Sequence, residues 1–212
     1  MSAGTIRQAR RGDMKKPVLY LMVGYPGSGK TTTSEIIRSL TGATHIWADY
    51  ERRAMFGEPT HSAEESRKLY DHLNKTTEIL LSEGSDVIFD TNFNFQRDRD
   101  LLRSVADKYN VDTKLVWIQI DKTVAHERAT SNGHAASNNY PKKMLTKDFK
   151  RLTGHLELPS SSEHPVLLDG TKISAEYVAS KLGLPKPKTN DPLLKMALRA
   201  PVSVPGKSKT KY

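Results

Sequence analysis

The stretch Val18-Leu19-Tyr20-Leu21-Met22-Val23-Gly24-Tyr25-Pro26-Gly27-Ser28-Gly29-Lys30-Thr31 decides how this chain is read. Its six leading apolar residues predict a buried strand, and the amphipathic run over 30–40 predicts a helix. Between them, Gly24 to Thr31 is a complete G-x-x-x-x-G-K-[ST] phosphate loop. At ordinary glycine usage a chance match in such a chain arises about once in a hundred, and the flanking strand and helix make it rarer. The glycines let successive N–H groups surround phosphate oxygens, Lys30 bridges the β- and γ-phosphates, and the Thr31 hydroxyl ligates Mg²⁺. The positive end of the following helix adds to this. Gly24, Gly27, Ser28, Gly29, Lys30, Thr31 and Thr32 are the expected ATP-binding residues, with Lys30 also catalytic.

Outward from this loop, short apolar runs alternate with longer amphipathic ones. Strands are expected at 18–23, 45–48, 87–90, 114–120 and 166–168, and helices at 30–40, 50–56, 63–82, 97–109, 123–130, 142–151 and 174–182. Apolar strands separated by helices imply a parallel sheet covered on both faces, an α/β three-layer sandwich of about five strands. The expected organisation is a basic N-terminal tail (1–16), one P-loop domain (17–182) and a basic, flexible C-terminal tail (183–212) with one short helix near 193–198. Five prolines between Pro185 and Pro205 and a near absence of aromatic residues keep that tail from building core.

The 212 residues are 36% hydrophobic and 27% charged, without cysteine, which excludes disulfide scaffolds, thiol catalysis and cysteine-based zinc sites. The longest apolar run, 18–23, is far short of the ~20 residues a membrane span requires, and no signal-like stretch opens the chain. A cytoplasmic protein without membrane association is expected, its oligomeric state open. The net charge of +9 suggests nucleic acid until it is located. Residues 1–16 carry five Lys/Arg against one Asp, and 183–212 carry seven against one Asp. The middle, with 21 basic and 22 acidic residues, sums to −1.

Two further elements narrow the chemistry. Val87-Ile88-Phe89-Asp90 is an apolar strand ending in a carboxylate, suited to orient Mg²⁺ water beside the phosphate loop, so Thr31 and Asp90 form the expected metal side. Asp49-Tyr50-Glu51-Arg52, at the exit of the second strand, places a base and a cation three residues apart on one helical face. That pair suits a kinase, which needs a carboxylate for an acceptor hydroxyl and a cation to hold the acceptor. A helix-capping Asp beside a solvated Arg would read the same way. No guanine-reading N-K-x-D sequence is present.

Together these elements resemble the P-loop kinases that include the phage-type polynucleotide 5′-kinases and the zeta-toxin-like kinases. The resemblance covers roughly 17–182 and is carried by Gly24–Thr32, Asp49 to Glu58, the run Asp90-Thr91-Asn92-Phe93-Asn94-Phe95-Gln96-Arg97, and the strand and helix leading to Arg128. It implies that Asp49 is the general base and that Arg52, helped by Thr91 and Asn92, holds a phosphate of the acceptor. It also implies an arginine-bearing lid. Arg128 fits, but the second lid arginine of R-x-x-x-R is replaced by Asn132, and Lys142 or Lys143 could substitute if 133–140 folds over the site. Lys142, Lys143, Lys147, Lys150 and Arg151 suit either a solvated face or a polyanionic acceptor. Arg97, Arg99 and Arg103 are expected on the acceptor rim, Arg97 foremost. His126 and His134 are not expected to be catalytic, and Trp47 and Trp117 read as core. The function expected is transfer of the γ-phosphate of ATP, with Mg²⁺, to a 5′-hydroxyl of DNA or RNA. A small-molecule or nucleotide-sugar kinase, or a nucleotide-dependent binding module, stands as the alternative.

Overall fold

A computed structural model describes residues 16–93, 95–131 and 144–187. In chain order the elements are β1 (Val18–Val23), α1 (Lys30–Thr41), β2 (Thr44–Trp47), α2 (Ala48–Phe56), α3 (Ala63–Ser82), β3 (Val87–Asp90), α4 (Gln96–Lys108), β4 (Asp112–Gln119), α5 (Lys122–Thr130), α6 (Thr146–Gly154), a 3₁₀ turn at Ser161–Glu163, β5 (Val166–Asp169) and α7 (Ala175–Leu182). The five strands form one parallel sheet in the order β2-β3-β1-β4-β5.

Every residue of β1 is buried. Its alternate side chains feed opposite layers, as a strand's two-residue period requires. Leu19, Leu21 and Val23 pack with Leu69 and Leu73 of α3 and Leu102 and Ala106 of α4. Val18, Tyr20 and Met22 pack with Ile36 and Ile37 of α1 and Val178 and Leu182 of α7. This is the expected three-layer α/β fold.

The helix ends follow local chemistry. Ser62 caps α3 by accepting from the Glu65 N–H, and Asp121 caps α5 by accepting from Thr123 and Val124. Gly183 closes α7 in a left-handed conformation, and Leu184 packs into the α1/α7 layer, so the packed body runs two residues past 182. Asn94, the lid stretch with Asn132, His134, Lys142 and Lys143, and most of both basic tails lie outside the described residues.

Because all strands run the same way, their carboxyl ends share one edge of the sheet. The chain leaves β1 toward β2 on one side and crosses to β4 on the other, and this change of direction opens a crevice above β1. The phosphate loop lies there.

Candidate active site

The loop follows β1 directly and is held from two sides. Gly27, at φ 81°, lies against α5 so closely that a Cβ would collide with the Ala125 carbonyl and crowd the Ala129 N–H. Gly170, just after β5, has the same relation to the Ser28 carbonyl, at 2.7 Å from a would-be Cβ. From α5, Arg128 Nη1 donates to the Gly170 carbonyl at 2.9 Å, which brings its guanidinium beside the loop. The Ser28 side chain is fully buried, and its Oγ has no hydrogen-bond partner among the described residues.

Lys30 is 9% exposed, with Nζ donating to the Gly24 carbonyl at 2.9 Å and the Tyr25 carbonyl at 3.1 Å. Burial pulls its pKa below the ordinary value, and the carboxylates of Asp90 and Asp49 push back. Both sequence-predicted acids therefore act electrostatically on the phosphate-loop lysine. Asp90 ends β3, in register with Met22 of β1 and Trp47 of β2, and is almost wholly buried. Asp49 is half-buried in the first turn of α2.

Thr91 is buried, and its Oγ1 lies 2.8 Å from the Tyr70 hydroxyl of α3. Burial raises the Tyr70 pKa, with charges from Arg52, Asp49 and Asp98 also felt there. Tyr70 thus bonds Thr91 and feels the charges of Arg52 and Asp49. Asn92 is half-buried beside Phe93, whose ring packs 5.3 Å from that of Phe89.

Arg52 is buried and already engaged. Nη1 donates to Glu65 Oε1 at 2.6 Å, and both terminal nitrogens approach Ser66 Oγ at 3.3 to 3.4 Å. The second Glu65 oxygen accepts from Thr60 N, Thr60 Oγ1 and His61 N. Burial alone would raise the Glu65 pKa, but hydrogen bonds from Arg52 and Thr60 outweigh it and hold the carboxyl at about 2.

The arginines of α4 divide differently from expectation. Arg97 is exposed, its guanidinium 4.6 Å over the Phe95 ring and 3.8 Å from Asp98. Arg99 and Arg103 do not line the rim. Arg99 is fully buried with two bonds to Glu163 and one to the Glu157 carbonyl, and Arg103 also reaches Glu163. These two tie α4 to the loop before β5, because positions 99 and 103 share the helix face of Leu102 and Ala106.

Sequence reasoning missed Tyr70, Glu65 and a buried polar chain behind Asp90. His45 of β2 has Nε2 at 3.2 Å from Asp90 Oδ2 and Nδ1 at 2.8 Å from Glu35 Oε1, while Arg38 grips the other Glu35 oxygen from Nε and Nη2 at 2.9 and 2.8 Å. Burial opposes charge on His45, but the two carboxylates outweigh it and hold its pKa at about 8. A polar residue inside an apolar strand was the visible signal.

The site suits a nucleotide with Mg²⁺. The backbone cradle admits no Cβ at Gly27, and Thr31 and Asp90 carry the hard oxygen donors that Mg²⁺ takes. Among the described residues no three His, Cys, Asp or Glu side chains could hold a metal unaided. Beside Tyr25 a recess of about 180 Å³ is lined by Trp117, Gln119, Ile120 and Leu158. Trp117, expected as core, is half-buried there, whereas Trp47 is 5% exposed. No described helix is long and apolar enough to cross a membrane.

Solved structures with this fold include a gluconokinase from Sinorhizobium meliloti 1021, 20% identical, TM-score 0.57, covering 79% of this chain and 90% of that one. The Mycobacterium tuberculosis APS kinase CysC in complex with AMPPNP and APS is 16% identical, TM-score 0.55, covering 79% and 98%. A chain of the Pnkp1/Rnl/Hen1 RNA repair complex is 22% identical, TM-score 0.54, covering 68% of this chain but 46% of that one. No curated protein sequence matches. The profile of a family described as an AAA domain matches residues 19–159, and with the phosphate loop and the parallel sheet in place the chain belongs to that family and has the fold of P-loop kinases.

Proposed function

We propose that this protein is an ATP- and Mg²⁺-dependent kinase that phosphorylates the 5′-hydroxyl of a polynucleotide. The observation that carries the reading is the buried Lys30 ammonium within the electrostatic reach of two carboxylates, Asp90 and Asp49, with the Tyr70 hydroxyl bonded to Thr91 and feeling the charge of Arg52. Asp49 Oδ accepts the proton of the acceptor hydroxyl as that oxygen bonds to the γ-phosphorus. The bond from this phosphorus to the bridging oxygen breaks, and ADP leaves. Lys30 and Arg128 hold charge on the non-bridging oxygens, while loop N–H groups fix the β-phosphate. Thr31 and Asp90 would hold Mg²⁺, which would supply neutralisation of phosphate charge when bound. Alignment matters more than base strength, since the transition state is loose.

A nucleic-acid acceptor is supported by the Asp90-Thr91-Asn92 run, by Arg52, and by the positive charge of both chain ends. A small-molecule acceptor is the second reading, favoured by the compact recess at Tyr25 and Trp117 and by the near-neutral charge of 17–182. The test is transfer of labelled γ-phosphate from ATP to a 5′-hydroxyl oligonucleotide, run beside gluconate and APS. Transfer to the oligonucleotide is expected, and transfer only to a small acceptor would establish the second reading. Asp49→Asn should lower kcat by about 10²- to 10⁴-fold with ATP affinity unchanged in equilibrium binding.

A further inference from the structure

The motifs do not account for His45, a buried imidazole with a carboxylate on each ring nitrogen. We propose that His45 is a positioning residue for the metal side of the nucleotide site: it fixes the Asp90 carboxylate by bonding Oδ2, leaving Oδ1 available to a metal, and it is itself held by Glu35, which Arg38 grips.

Three elements meet at this ring. β2 supplies His45, β3 supplies Asp90, and α1, the helix that begins at Lys30, supplies Glu35 and Arg38. The His45 and Asp90 side chains are 4% and 3% exposed, so water cannot replace the bond between them. A carboxylate at a strand end can rotate about its terminal torsion, which is broad. A single fixed donor on one oxygen removes that freedom. Arg38 orients Glu35, Glu35 accepts from Nδ1 and sets the ring plane, and the ring then presents Nε2 to Asp90. Outer partners of this kind commonly change metal affinity 10- to 100-fold when removed. Because Glu35 lies on α1 one turn beyond Thr31, the chain also ties both expected metal-side residues into one frame.

The inference rests on Asp90 belonging to the metal side, and equilibrium binding of AMPPNP with Mg²⁺ and with EDTA tests both. The wild type should bind more tightly with Mg²⁺. His45→Ala should reduce that Mg²⁺-dependent gain about 10-fold, with the affinity in EDTA within about twofold. A glutamine amide nitrogen occupies the place of Nε2 and an asparagine amide nitrogen that of Nδ1, so His45→Gln should restore the gain and His45→Asn should not. Thermal melting of each variant confirms that it is folded. An unchanged gain in folded His45→Ala overturns the proposal, as does equal rescue by both amides, or parallel loss of affinity with and without Mg²⁺. Asp90→Asn is the separate control: if it keeps the gain, the assignment of Asp90 to the metal side fails.

Discussion

Arg52 is a residue picked from sequence whose orientation is set by a partner that sequence does not show. Its guanidinium is aimed by Glu65, 13 positions away and in another helix, and the same carboxylate holds the 60–61 turn. Glu65→Gln keeps the shape but removes the charge that orients Arg52. It should raise the acceptor KM by about tenfold, the loss of one charge-assisted hydrogen bond, while the ATP KM is unchanged in steady-state kinetics. The phosphate-loop residues and Asp90 were legible because their spacing along the chain is itself the signal. Glu65, Tyr70 and His45 were not, since their partners lie 13, 21 and 45 residues distant and only the fold brings them together.

Most helices and strands were legible to within two residues of their ends because the apolar period and the capping residues are local, but the helix expected at 142–151 runs from Thr146 to Gly154. β1, α3 and β3 have the expected bounds, and α4 starts one residue earlier than its periodicity suggested. The error at α4 concerned what its arginines do. Positions 99, 102 and 106 form the buried stripe of a 3.6-residue helix and 103 flanks it, so Arg99 and Arg103 both reach Glu163. Removing one partner of such a buried pair costs about 3–5 kcal/mol, and Glu163→Ala should lower stability by that amount in denaturant unfolding. Burial would raise the Glu163 pKa, but hydrogen bonds from Arg99 and Arg103 outweigh it and bring the carboxyl from 4.5 to about 2. Its stabilisation is therefore complete above pH 4.5 and is lost as pH falls through about 2. Between those values the wild type should lose stability more steeply than Glu163→Ala.

At the scale of the molecule the charge distribution separates encounter from chemistry. Residues 188–212 carry six basic residues and one Asp, whereas 17–182 sums to −1. Deleting 188–212 leaves Gly183 and Leu184, which cap and pack α7. With an oligonucleotide acceptor the truncated enzyme should show a higher KM and unchanged kcat. The log–log salt slope should flatten by about 0.7 for each single-strand phosphate that the deleted segment would have neutralised, read from kinetics at several salt concentrations. Placing the charge on the ends was a matter of counting, whereas the body's extent to Leu184 needed its packing.

The sheet order carries a consequence for biogenesis. Among the described strands β1 comes earliest in the chain, yet its partners there are β3, from Leu19 to Val87, and β4, from Val18 to Asp112, both made later. At roughly 5–20 residues per second, the nascent first strand waits several seconds for neighbours on either edge. Until then its six apolar side chains and both rows of peptide groups have no partners in the sheet, the kind of unpaired strand that invites wrong pairing. The phosphate loop is correspondingly late to reach its final shape, since it hangs from a strand that the centre of the sheet holds.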